Sequence, residues 1–494
     1  MDRRPGRGAR AMIRRVAIAA VCAMMWPAPP ATAQTAPEWR APADDLLAQG
    51  RWVQAADAYR AGLGSHPNDL EARYGLVVAL AQSGEPDAAV EALVAAIGSG
   101  FVDFHRLLRD SRLAPIRDRP QYRAILAGWR ELLDARAERN EAALRRLFGA
   151  GHVVERDARL RLIYSSAWRT ESLALARREI DAVAGWAFGT LFDEPDPGDP
   201  HPDPWVSVIL PTPERFTQMM MALGAGANVG GIYDQDRLQL IGRDIGPSLR
   251  HEFLHVLHWR LLARTGQRHP DWIMEGLGAL VEDLDPDPDA PGGVRPAPSW
   301  RTNIAKQLMK VGALPRLDEL AAMDRETFRT RRPNANYAVA RAVMLFLDQR
   351  GELAPFFRRC VESYDADPSG LAALRDATGL GGPALDEAFR AWLADLPEAP
   401  EELAPGMASL GVTVGAGRGD GPVIEEIPPG SPARGAGLRL GDVILAVDGR
   451  STRTILDLVR VLSQRSPGQA VTVTARRGRR VLDARVTLVE FDGG

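Results

Sequence analysis

The 494 residues are 45% hydrophobic and 25% charged, with a formal net charge of −3, a balance that supports several buried cores and excludes a disordered chain. The 61 basic residues are outnumbered by 64 acidic ones, which argues against a general nucleic-acid partner. Two cysteines, Cys22 and Cys360, limit disulfides to one at most.

The chain opens with a basic stretch including Arg14-Arg15, an apolar run from Val16 to Trp26, and the small-residue pattern Ala31-Thr32-Ala33. This order predicts a cleavable secretory signal over residues 1–33, with an apolar run too short to span a membrane comfortably. The expectation is a periplasmic or secreted protein with no transmembrane anchor in the mature chain. Cleavage would remove Cys22, leaving no intrachain disulfide, and would remove six Arg and one Asp, so the net charge of −3 becomes −8.

Residues 38–135 read as helical repeats. With a period of 34, Gly50 matches Gly84, Ala55 matches Ala89, Tyr59 matches Leu93 and Gly62 matches Ala96. The spacing resembles tetratricopeptide repeats, in which small residues let paired helices approach closely. About two units are visible, and the helix-rich stretch to Ala135 is expected to cap them. The resemblance implies either a docking surface for a protein partner or a brace for the neighbouring domain.

The next region, 136–396, contains His251-Glu252-Phe253-Leu254-His255 and, further on, Trp272-Ile273-Met274-Glu275-Gly276. On a helix, residues four apart share a face, so His251 and His255 can reach one metal ion while Glu252 projects beside it. Catalytic zinc takes three protein ligands and keeps one position open. Glu275 is the candidate third ligand, with 19 residues between it and His255, enough for one helix to end near Thr265-Gly266 and a second to return. Glu282 and the adjacent Asp283 remain alternatives for that third place. Glu252 is then the general base rather than a ligand.

Upstream, Val229 to Tyr233 and Arg237 to Ile241 predict two short strands joined around Asp234-Gln235-Asp236, whose edge is able to hold an extended peptide by strand addition. The Asp-, Pro- and Gly-rich stretch Asp283 to Pro298 predicts an exposed loop.

From about Gly151 to Leu396 these motifs resemble the peptidase MA-like gluzincins, the group that includes thermolysin and zinc aminopeptidases. The resemblance implies an α+β peptidase core and a tyrosine on a later helix that helps hold the oxyanion. Tyr337 is the matching position, and a core role for it stays open. His258 and Leu261 depart from the metzincin pattern, and the aminopeptidase hallmark Gly-x-Met-Glu-Asn is absent before the metal helix.

A Pro-rich linker at 397–405 leads into 406–494. There the runs Ser409-Leu410-Gly411-Val412, Gly430 to Leu438 and Leu440 to Gly449 resemble PDZ domains of bacterial periplasmic proteases. The resemblance implies a nest of backbone amides at Leu410, Gly411 and Val412 for the carboxyl terminus of a peptide ligand. The helix near Ile455 to Leu462 should wall the groove, although Leu458 and Leu462 equally suit a core.

The expected protein is therefore multi-domain: α-helical repeats, an α+β metallopeptidase core and a β-rich PDZ domain. The expected function is a zinc endopeptidase acting on protein or peptide substrates, with the PDZ domain tethering them. The alternatives are a non-catalytic repeat and PDZ scaffold with a degenerate core, and a zinc aminopeptidase.

Overall fold

The computed structural model describes residues 38–167, 170–224 and 229–492. The expected signal at 1–33 lies outside the described residues.

Helices Ala41–Ala48, Trp52–Ser65, Leu70–Gln82 and Pro86–Gly98 pack consecutively. The residues matched at period 34 explain why. Ala55, Ala89, Leu93 and Ala96 are fully buried and Tyr59 nearly so, while Gly50 and Gly84 adopt the left-handed backbone at φ +72° and +86° that ends each first helix. Gly75 leaves room for the Tyr59 ring, since a Cβ there would collide with it. The core of this unit continues through Phe104, Tyr122 and Trp129 to Leu133, so later helices do cap the repeats.

The middle of the chain carries a five-stranded sheet: β1 (Val153–Asp157), β2 (Leu162–Ser166), β3 (Val206–Leu210), β4 (Gly231–Asp234) and β5 (Gln239–Gly242), in the order β1-β2-β3-β5-β4. Strands β2, β3 and β5 run parallel and the outer pairs are antiparallel. Helix Thr170–Thr190 connects β2 to β3, as a parallel pair requires. Strand β4 forms one edge, paired with β5 through Tyr233 and Leu240.

Helix Pro247–Thr265 follows β5, and Leu249, Phe253, Val256 and Leu257 join Val208 and Leu240 in one core. It stops at Gly266, whose φ of +78° gives a left-handed cap. Helix Asp271–Leu280 returns from there and packs on Pro333–Gln349, whose residues Ala338 to Leu347 are all buried. Gly276 permits that approach, because a Cβ would stand 2.9 Å from the Ala340 carbonyl oxygen.

The stretch Asp283 to Pro298 is exposed around Pro286 to Arg295, as its composition predicts, but it is not an irregular loop. It forms a hairpin of Leu284–Pro286 with Val294–Pro296, and Gly292 rests on helix Thr170–Thr190, where a Cβ would collide with the Ala182 carbonyl oxygen. Gly292 thus serves close packing at an exposed hairpin tip.

The C-terminal sheet runs Arg480–Thr487, Ala470–Arg477, Val443–Val447, Val423–Glu426 and Thr413–Gly415, the last at its edge. Helix Ile455–Ser463 covers it, with Leu458 and Leu462 in the core of this unit. Val443 and Leu445, however, belong to the core of the middle region. No helix among the described residues is long and apolar enough to cross a membrane.

Candidate metal centre

Helix Pro247–Thr265 places His251 and His255 one turn apart, with their Nε2 atoms 3.0 Å from each other. Helix Asp271–Leu280 returns Glu275, whose Oε2 lies 3.2 Å from His251 Nε2 and 3.3 Å from His255 Nε2. The three ligand atoms lie within 4.8 Å of one another. Two imidazole nitrogens and a carboxylate oxygen converging in a largely buried site match the donor set of catalytic zinc.

Glu282 is not at this point of convergence. Its Oε1 pairs with His251 Nδ1 at 2.9 Å, and its two oxygens also accept from Arg301 at 2.7 and 3.0 Å. A carboxylate on Nδ1 fixes the ring's orientation and leaves Nε2 free, the arrangement that suits an imidazole able to hold metal. Asp283 turns elsewhere, within 3.7 Å of Arg341 and 3.5 Å of Arg460. Of the three carboxylates considered for the third place, only Glu275 faces both imidazoles.

Glu275 is held in turn by Arg329, whose Nη2 donates to its Oε1 at 2.5 Å while Nε donates to Asp271 at 2.6 Å. Burial opposes charge on Glu275, but His255, His251 and Arg329 hold its carboxyl well below the usual range. Burial likewise opposes charge on His251, and the carboxylates of Glu275 and Glu282 overcome it, raising the imidazole to about 10. These opposite shifts describe a site whose carboxylates demand a cation, met by protons or by metal. The second imidazole is less supported, since His255 Nδ1 is buried with no partner among the described residues.

Glu252 lies on the same helix, nearly buried, and its carboxyl is raised chiefly by burial. The backbone of Tyr233 on edge strand β4 lies near enough to temper that rise, and Gly231 on that strand comes so near that a Cβ would meet Glu252 Cγ at 2.6 Å. The expected base and the expected substrate strand are thus adjacent. Tyr337 stands near the same atoms, its ring 6.5 Å from that of His251 and its hydroxyl close enough to Glu275 to feel that carboxylate's charge. Burial pushes its pKa up, so it keeps its proton.

Sequence reasoning missed Gly278, Arg301 and Arg329. A Cβ at Gly278 would lie 2.9 Å from His251 Nε2, so this glycine makes room for the imidazole. The Glu275-Gly276-Leu277-Gly278 spacing was the available signal; the two arginines carried none. His258 has no place at the centre. Its Nε2 pairs with His269 Nδ1 at 2.8 Å, and burial lowers both pKa values, which describes a neutral core pair.

In the C-terminal unit, Leu410 is buried in the core and Gly411 has φ +67°. The Gly411 N–H donates to Ser409 Oγ at 3.0 Å, so this amide of the expected nest is already engaged. Val412 is partly buried against the core.

Residues 408–488 match the PDZ domain model and residues 46–106 the tetratricopeptide repeat model. The chain therefore holds helical repeats and a C-terminal PDZ domain, both protein-interaction modules. No curated protein matches it. Similar solved structures include the serine endoprotease from Yersinia pestis, at 23% identity over 17% of this chain and 30% of that one, TM-score 0.16. The HtrA-type protease AlgW with decapeptide is 23% identical over 18% and 30%, TM-score 0.17. An aminopeptidase N family protein from Idiomarina loihiensis is 14% identical over 67% and 65%, TM-score 0.24. The chain thus spans 30% of the length of the first two, and likenesses this slight leave the metal centre to its own geometry.

Proposed function

We propose that this protein is an exported zinc-dependent endopeptidase. The observation that carries the reading is the convergence of His251 Nε2, His255 Nε2 and Glu275 Oε2 within 4.8 Å, beside a buried carboxylate that is not part of the cluster. His251, His255 and Glu275 would hold zinc, which when bound would supply Lewis acidity.

The chain's own residues supply the rest. Glu252 takes a proton from the attacking water and passes it to the leaving amine, a role suited to a carboxyl whose pKa burial has raised. Tyr337, which keeps its proton, donates a hydrogen bond to the developing oxyanion. An extended substrate adds to the edge of β4, where Tyr233 and Gly231 already adjoin Glu252. Arg329 and Glu282 hold Glu275 and His251 in place and move no proton.

Export rests on residues 1–33. The PDZ domain supports protein or peptide ligands, and the repeats support a protein partner. Purified protein should hold about one zinc per chain and cleave members of an unbiased peptide library internally. Acetylating a peptide's N-terminus should leave cleavage intact; dependence on a free amine would move the reading to an aminopeptidase. Protein with wild-type fold and no affinity for zinc would leave only a scaffold.

A further inference from the structure

The PDZ domain is seated against the metal-bearing helix rather than hung from a linker. The N–H of Ile245 donates to the Gly419 carbonyl at 3.0 Å. Gly246, the residue before helix Pro247–Thr265, faces Arg453 so closely that a Cβ would collide with that of Arg453. Val443 and Leu445 complete a shared apolar core.

Within this contact lies a chain of buried charges that ends at the metal centre. Arg453, 4% exposed, donates to the Leu445 carbonyl at 3.0 Å and stands 3.2 Å from Glu179 Oε1. Ser451 donates to the same oxygen at 2.5 Å. The other oxygen of Glu179 accepts from Arg250 Nη1 at 2.6 Å. Arg250, the residue before His251, donates onward to the carbonyls of Val281, at 3.0 Å, and Glu282. Glu282 carries His251.

A second grip acts on the same segment. Arg460, on the helix that covers the PDZ sheet, donates to the Leu284 carbonyl at 3.1 Å, and Arg450 donates to Asp285 at 2.6 Å. The backbone that positions Glu282 is therefore held from the peptidase side by Arg250 and from the PDZ side by Arg460 and Arg450.

We propose that the PDZ domain is a positioning part of the metal centre: Arg453 and Ser451, through Glu179 and Arg250, fix the Val281-Glu282 backbone and so the carboxylate that orients His251. The inference rests on the zinc reading and adds that the PDZ domain serves every substrate, including those too short to reach its groove. Without Arg453, the buried Glu179 is left to a single arginine, and Arg250 loses the fixed partner that aims its remaining donors.

The test uses the full chain loaded with cobalt as a spectroscopic stand-in for zinc. Arg453→Ala and Ser451→Ala are compared with wild type for cobalt affinity, the visible cobalt spectrum, and kcat and KM on a short internal peptide. Expected for Arg453→Ala are an affinity about 10-fold weaker or more, on the scale of lost outer-shell partners, a changed ligand-field spectrum, and a fall in kcat with KM little moved. Ser451→Ala should shift the same quantities in the same direction by less, and it serves alone if Arg453→Ala does not fold. Folded variants with wild-type affinity, spectrum and short-peptide turnover would overturn the inference while leaving the zinc reading intact. A wild-type protein that binds neither cobalt nor zinc would instead overturn the zinc reading itself.

Discussion

His251 Nδ1 donates to Glu282 Oε1 across 2.9 Å, and that carboxylate is itself clamped by Arg301. The pairing fixes which imidazole nitrogen faces Glu275 and His255. It also sets Glu282, seven residues past Glu275, against Nδ1 of His251 and outside the three converging atoms.

Replacing Glu282 with Gln should keep a hydrogen-bonding group but weaken the imidazole's hold on metal, by roughly 10- to 100-fold. His251→Ala or His255→Ala should empty the site. Competition against a chelator of known affinity separates the two effects. Equal losses for Glu282→Gln and His251→Ala would return Glu282 to the ligands.

How far such a site is legible in a sequence depends on how local its contacts are. His251, Glu252 and His255 share one helical face, so their spacing alone proposes the arrangement. Glu275 is reached through a turn marked by Gly266, still a local signal. Arg329 and Arg301 come from other helices, and nothing in the intervening sequence specifies that they meet Glu275 and Glu282. The link from Glu179 to Arg453 spans 274 residues and exists only because two domains pack. The repeats were legible for the opposite reason, since the small and buried positions at Gly50, Ala55 and Tyr59 recur 34 residues later as Gly84, Ala89 and Leu93. Asp283 to Pro298 was legible as an exposed segment, but its short hairpin was not, because glycine and proline report backbone freedom and not which strands pair.

Glu252→Gln should retain metal and lose hydrolysis. The amide preserves shape but cannot take a proton, and loss of a general base costs on the order of 10²- to 10⁴-fold. Metal content by elemental analysis and turnover on one peptide, measured on the same sample, check it. Full turnover in the metal-loaded variant would remove Glu252 from the mechanism. Tyr337→Phe should lower kcat with metal content unchanged, and an unaltered rate would assign Tyr337 to packing.

Gly278→Ala is a steric test of the same centre. Its new methyl group would lie 2.9 Å from His251 Nε2 and 3.0 Å from Cε1, closer than ordinary packing allows, so the ring must turn away from Glu275. The expected result is loss of metal affinity with most of the fold retained. Gly276→Ala meets backbone at Ala340 instead and should chiefly destabilise, by about 1–3 kcal/mol as overpacking does. Chelator competition and thermal melting distinguish the two outcomes, and a Gly278→Ala protein with wild-type metal affinity would show that His251 is free to move.

Asp203 joins the repeats to the far end of the metal helix and makes that junction sensitive to acid. It lies 3.8 Å from His105 of the helical unit and pairs with Arg264 at 2.6 and 3.1 Å and Arg260 at 3.8 Å. Burial alone would raise its pKa, but His105, Arg260 and Arg264 outweigh burial and lower it from 3.8 to about 2. A depressed carboxyl stabilises the fold fully above its unfolded pKa and loses that contribution as pH falls through the folded value. The window is therefore about pH 4 down to 2, and the contribution is about 2 kcal/mol. Asp203→Asn should be less stable than wild type at neutral pH, and the gap should narrow by about that amount as wild type is acidified across the window. Urea unfolding of both proteins at a series of pH values measures it. A gap that stays constant down to pH 2 would mean that packing, not the charge on Asp203, holds the repeats to the helix that carries His251 and His255.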